Sequence, residues 1–113
     1  MGLGLLALLL AAGLAWRSQP GVDPVEVRWA GIQGRGYLLV DARGPEQYRR
    51  NHLAGAYSVP GADPVVPTPL QDGASRVVVY GDRLAETVKT ARALAAYQSE
   101  PVMILLDPPL SRP

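Results

Sequence analysis

The chain has 113 residues, with 11 basic and 10 acidic side chains and a formal net charge of +1. That length allows one domain and not two. The basic residues are scattered, so the electrostatic footprint of a nucleic-acid binder is missing. The absence of cysteine excludes a disulfide framework, thiolate chemistry and a cysteine-ligated metal. A single histidine, His52, does not make a multi-histidine metal site.

Residues Met1 to Trp16 are almost all apolar, and Arg17 ends the run. As a helix this run would span about 24 Å, against about 30 Å for a typical hydrocarbon core. Three readings compete. The first is a short membrane anchor with Trp16 at the interface and Arg17 beyond it. The second is a secretory signal peptide with Gly13-Leu14-Ala15 as its cleavage site, a reading weakened by the lack of Lys or Arg before the run. The third is a buried core helix. Arg17 and Arg28 follow the run, which inclines the domain to the cytoplasmic side of a membrane. A secreted or periplasmic domain after signal cleavage is the alternative. Residues 18–22 carry Pro and Gly and read as a linker, which leaves residues 23–113 for the domain.

Within the domain, Asp23-Pro24-Val25-Glu26 has the local marks of a helix start, with Val25, Trp29 and Ile32 on one helical face. Tyr37 to Val40 is a short unbroken apolar run and predicts a buried strand. Pro45 to Arg50 predicts a short polar helix ending at Asn51, a residue that tolerates the left-handed cap conformation. Ala56 to Val59 predicts a second short strand, stopped by Pro60-Gly61. The proline-rich stretch from Gly61 to Ser75 reads as loop with one turn around Leu70.

Arg76 to Tyr80 is the strongest strand signal. A helix follows from about Arg83 to Tyr97, with Leu84, Val88, Ala91, Leu94 and Ala95 on one face. Arg83, Lys89 and Arg92 fall on its outer face, where Glu86 and Lys89 can pair. Val102 to Leu106 is the last strand. Continuous apolar strands separated by helices imply an α/β fold, a mostly parallel sheet flanked by helices.

The segment LLVDARGPEQYRRNHLAGAYSVPG resembles the N-terminal signature of rhodanese-like domains. Asp41, Arg43, Tyr48, His52, Leu53, Gly55, Ala56, Val59 and Pro60 match it without a gap. Gln47 stands where that family favours Glu, and Asn51 where it favours Gly. VDPVEV resembles the family's opening strand and capped helix, and VVVY the strand that leads into its active-site loop. The resemblance covers about residues 21–107 and implies a small rhodanese-like fold, here preceded by an apolar N-terminal helix.

In that family a cysteine directly after the VVVY-like strand takes up sulfane sulfur as a persulfide. Loop amides and the next helix N-terminus stabilise the anionic sulfur. Here Gly81 stands at the cysteine position, followed by Asp82, Arg83, Leu84, Ala85 and Glu86, with Glu86 about where the family often has Arg. Gly81 has no nucleophile to offer, and no other cysteine can replace it. Asp82 is expected to cap the helix and Glu86 to sit in its first turn, so that the anion pocket is filled or repelled from within. The family also continues past its last strand with a Gly-Gly turn and a helix. Asp107-Pro108-Pro109 replaces that turn, which suggests a less covered sheet face.

The remaining signature residues read as structural. His52 is expected to be packed within the motif rather than to act as a base. Asp41 and Arg43 are expected to hold the loops at the strand ends. Arg49 and Arg50 read as a solvated helix face. No cofactor or metal is implied.

Three functions follow. One is a catalytically inactive, membrane-tethered module acting through an unidentified protein partner. The second is a sulfurtransferase-related enzyme that uses a partner's cysteine, or an unrelated activity of Asp41, Arg43 or His52. The third is a secreted or periplasmic sensor that binds a small anion.

Overall fold

A computed structural model describes residues 23–73 and 76–110. The anchor or signal segment expected over residues 1–17 and the linker 18–22 lie outside the described residues. Among the described residues, no helix is long and apolar enough to cross a membrane.

The strands are β1 (Val25–Val27), β2 (Leu38–Asp41), β3 (Tyr57–Ser58), β4 (Val77–Tyr80) and β5 (Met103–Leu105). They form one sheet in the order β1-β5-β4-β2-β3, and every pairing is parallel. The helices are α1 (Trp29–Ile32), α2 (Pro45–Arg50) and α3 (Leu84–Ala95), with a 3-10 turn at Thr68–Gln71 around the buried Leu70. The sheet is therefore wholly parallel, as its continuous apolar strands require once both faces are covered.

Alternation along β4 sends Val77 and Val79 to one face and Val78 and Tyr80 to the other. On the first face Val77 and Val79 join Val40, Val59 and Ile104 beneath Ala91 and Leu94 of α3. On the second, Val78 and Tyr80 join Ile32, Leu53, Ala56, Met103 and Leu105, with Trp29, Tyr48 and Leu110 packed against them. Residues of β4 are buried throughout, which is why this strand carried the clearest signal in the sequence.

Four local expectations are corrected. Val25 to Val27 is strand, not the start of a helix, because it pairs with β5: Val25 N–H donates to Val102 O at 3.0 Å and Leu106 N–H to Val27 O at 3.0 Å. Val25 consequently shares no helical face with Trp29 and Ile32, and the helix is confined to four residues. Asn51 ends α2 in extended backbone (φ −162°), not in the left-handed region, because the chain continues directly toward β3. Leu84 is 64% exposed although it is in phase with Val88, since the buried stripe of α3 runs through Thr87, Thr90, Ala91 and Leu94 and leaves Leu84 at its margin. Glu86 and Lys89 form no ion pair; the salt bridges among the described residues join Arg43 to Asp41 and Arg76 to Glu100.

The second sheet face is better covered than expected. Met103 and Leu105 are buried there, and Leu110 packs beside them. The Asp107-Pro108-Pro109 segment has a further role. Asp107 Oδ1 accepts a 2.7 Å hydrogen bond from Trp29 N–H, capping the first turn of α1 from 78 residues away.

Candidate functional site

From β2 the chain passes through α2 to β3 on one side of the sheet. From β4 it passes through α3 to β5 on the other. The loops after β2 and β4 therefore part at the carboxyl edge, the place where open parallel sheets form their crevices. Adjacent backbones are tied there. Ala42 N–H donates to Tyr80 O at 2.8 Å, and Gly61 N–H donates to Ala42 O at 2.9 Å. Gly81 leaves β4 at this point.

Gly81 does not have a positive φ, so its backbone tolerates a side chain. The space does not. A Cβ built on Gly81 collides with Thr87 Oγ1 and lies 3.6 Å from Ala42 Cβ. Thr87 is buried on α3, and its hydroxyl donates to Arg83 O at 2.8 Å, beside the 3.0 Å bond from its own backbone N–H to the same carbonyl. A threonine hydroxyl folded back onto its own helix occupies the position a nucleophile's side chain would need.

The start of α3 is also held from the opposite side. A Cβ on Gly61 would clash with Glu86 O and stand 2.6 Å from Glu86 Cβ and 2.7 Å from its carbonyl carbon. Gly61 thus allows the loop after β3 to lie against the helix backbone. Thr90 Oγ1, four residues further on, donates to Val59 O at 2.9 Å and fastens the same surfaces. The expected cap by Asp82 is not formed. Arg83 takes the N-cap position without a side-chain cap bond, and Asp82 precedes it. Glu86 does sit in the first turn, where the helix dipole favours a negative charge.

Asp41 and Arg43 form a buried pair at the end of β2. Asp41 is fully buried, and its carboxylate accepts from Arg43 N–H at 2.8 Å and from Arg43 Nη2 at 2.8 Å. The guanidinium also reaches the C-terminal end of α2, donating to Asn51 O at 2.5 Å and Asn51 Oδ1 at 3.3 Å. A cation at a helix C-terminus is favoured by the free carbonyls and the dipole. Hydrogen bonding to Asp41 raises the Arg43 pKa above its ordinary value, against the opposing effect of burial, and the charges of Asp41, Tyr80 and Asp82 add to the rise. Below the pair, Tyr80 OH accepts from Leu53 N–H at 3.0 Å, and the Tyr80 ring lies 5.9 Å from the guanidinium carbon. Burial pushes the Tyr80 phenol up from its usual range, with smaller contributions from Asp41 in the same direction; the Leu53 hydrogen bond and the Arg43 charge oppose it.

The other signature residues shape the segment between α2 and β3. Tyr48 OH donates to Ala56 O at 2.6 Å. Gly55 takes φ +78°, a conformation that glycine adopts without strain. Pro60 follows β3 and precedes the Gly61 contact. His52 is exposed rather than packed inside. Its ring stacks on Tyr48 at 3.8 Å, and its Nδ1 lies 2.7 Å from Tyr48 O.

Beside Gly81 is a cleft of ≈ 260 Å³ walled by Leu84 and Thr87 of α3 and by Ile104, Leu105 and Leu106 at the end of β5, with Asp82 at one side. Asp41, Arg43 and His52 do not line it. Sequence reasoning found the loop and missed Thr87. An apolar pattern assigns a helical threonine to solvent, and only the sheet beneath α3 turns this one inward. Among the described residues, no cluster of His, Cys, Asp or Glu could hold a metal ion.

No curated protein matches this sequence. Among solved structures, a cysteine-to-serine variant of EanB in complex with hercynine aligns with a TM-score of 0.60 at 20% identity, covering 77% of this chain and 25% of that one. A double cysteine-to-alanine variant of EanB, also with hercynine, aligns with a TM-score of 0.58 at 20% identity and the same coverage. The matched part of the chain therefore spans about a quarter of the length of those neighbours, and the likeness is one of fold. The family model of the rhodanese-like domain matches residues 26–107. With most of its length inside that match, the chain belongs to the rhodanese-like domain family.

Proposed function

We propose that this is a catalytically inactive rhodanese-like domain, tethered to a membrane through residues 1–16, that serves as a protein-interaction or accessory module. The observation that carries the reading is at Gly81. The nucleophile is absent, the chain holds no cysteine to replace it, and Thr87 Oγ1 fills the space its side chain would occupy. The neighbouring charges point the same way. Asp82 and Glu86 disfavour a thiolate or a bound anion at the loop, and Arg43 is already engaged by Asp41 and the end of α2. The EanB neighbours hold hercynine in chains about three times as long, so hercynine is not carried over to this chain. The tether rests on the apolar run alone.

Thiosulfate-to-cyanide sulfur transfer by the full chain tests the proposal, and no turnover above the uncatalysed rate is expected. Gly81→Cys alone also stays near background, because Thr87 obstructs its side chain and the acidic neighbours raise the thiol pKa. Sustained turnover by the unaltered chain overturns the proposal. Membrane extraction followed by N-terminal sequencing addresses the tether: a chain beginning at Met1 supports it, and cleavage after Ala15 refutes it.

A further inference from the structure

We infer that the cleft beside Gly81 is the docking site for a partner peptide that presents an aliphatic side chain next to a Lys or Arg. The inference rests on the reading of the domain as an interaction module and assigns the partner's chemistry.

The walls of the cleft argue for an apolar occupant. Large hydrophobic side chains that stand out to solvent among the described residues are Val25, Val65, Leu84, Tyr97 and Leu106. Two of these, Leu84 at 64% and Leu106 at 40% exposure, line this one cleft, from the first turn of α3 and from the end of β5. Ile104 and Leu105 lie behind them. Aliphatic groups that converge on a recess from separate elements mark a binding surface more than a scattering of single exposed residues does. At ≈ 260 Å³ the recess is below the roughly 300–1,000 Å³ of ordinary small-molecule pockets and suits a side-chain anchor.

The polar inventory argues against an anion. Gly81 contributes no side chain, and the Thr87 hydroxyl donates its proton to Arg83 O. Arg43, the buried cation nearest the loop, is turned to Asp41 and Asn51 and does not line the cleft. Among the described residues, Asp82 is the one charged residue lining the cleft, and it is exposed. An apolar recess with one carboxylate at its side is complementary to an aliphatic side chain flanked by a cation, and it repels an acidic flank.

The test uses the full chain in phosphatidylcholine nanodiscs, with methyl-labelled leucine and isoleucine observed by NMR. The probes are three capped tetrapeptides: arginine-leucine-leucine-arginine, the same peptide with alanines for leucines, and the same with glutamates for arginines. The first should shift the Leu84 and Leu106 methyls saturably and the second should not. The third should bind weaker by up to about fivefold, the range of one exposed ion pair. Leu84→Ser with Leu106→Ser, both at exposed positions, should abolish the accompanying shifts of the Ile104 and Leu105 methyls in the same cleft, and Asp82→Asn should erase the preference for arginine over glutamate. Four results overturn the inference: no saturable shift, equal binding of the acidic peptide, saturable shifts of the cleft methyls on adding thiosulfate or inorganic phosphate, or contacts to these methyls from a second copy or from Trp16. Sulfur-transfer turnover is a separate readout, so failure of the inactive-domain reading and failure of this docking site are distinguishable.

Discussion

Substituting Gly81 by Ala asks directly whether the family's nucleophile position is closed. The new Cβ meets Thr87 Oγ1 at a separation no folded protein sustains, while its distance to Ala42 Cβ is ordinary. The backbone is permissive, so the cost lies in the overlap. Overpacking of this kind costs about 1–3 kcal/mol. The alternative is for Thr87 to rotate away, which gives up its bond to Arg83 O, about 0.5–1.5 kcal/mol. Thr87→Ala alone should cost about that smaller amount, since the Thr87 backbone N–H still serves the carbonyl. It also removes the atom that clashes and leaves Thr87 Cβ at 3.6 Å. The double variant Gly81→Ala/Thr87→Ala should therefore be no less stable than Thr87→Ala, and the two substitutions should be coupled by roughly 1–3 kcal/mol. Urea unfolding of the four proteins, followed by far-ultraviolet circular dichroism, measures the cycle. If the two costs simply add, within about 0.5 kcal/mol, the hydroxyl does not close the position and the account of the lost site fails.

Gly61→Ala should destabilise the domain at least as much as Gly81→Ala, by about 2–3 kcal/mol, because the obstruction is helix backbone at Glu86 that cannot swing aside; in a domain of this size the melting temperature falls roughly 4–8 °C per kcal/mol. Arg43→Met leaves the Asp41 carboxylate buried without its partner and should cost about 3–5 kcal/mol, read by the same denaturation, whereas a loss below 1 kcal/mol would mean that water reaches Asp41. Tyr80→Phe removes the acceptor of the Leu53 N–H and should cost about 1–3 kcal/mol near neutrality. Burial raises the Tyr80 phenol above its unfolded value near 10, so its contribution is intact below that pH and is lost as pH climbs beyond it. Unfolding curves between about pH 9 and 11 should therefore show a falling stability in the parent that is weaker in Tyr80→Phe.

Much of this protein could be read from its residues. The buried runs around Val40, Val78 and Ile104 announced a parallel sheet, because a strand covered on both faces must be apolar without interruption. The α2 segment was legible as a short polar helix and α3 from its helical period. The Asp41-to-Pro60 signature pointed to the family fold, and Gly81 stands where that family carries its cysteine. These are local properties or properties of composition.

Tertiary structure decided whatever depended on a partner distant in the chain. Asp23-Pro24-Val25-Glu26 looks like a helix start in isolation and is strand because Met103 to Leu105 lies alongside it. Asp107 caps a helix that begins at Trp29. Leu84 follows the helical period and is exposed because the face of α3 turned to the sheet runs through Thr87, Thr90, Ala91 and Leu94. From the sequence, Asp82 and Glu86 are expected to fill the pocket or repel an anion from within, whereas the space at Gly81 belongs to Thr87, six residues past it and one helical turn into α3. Sequence spacing measures distance along the chain, and excluded volume at Gly81 is set by how α3 is pressed against the sheet edge through Gly61 and Thr90.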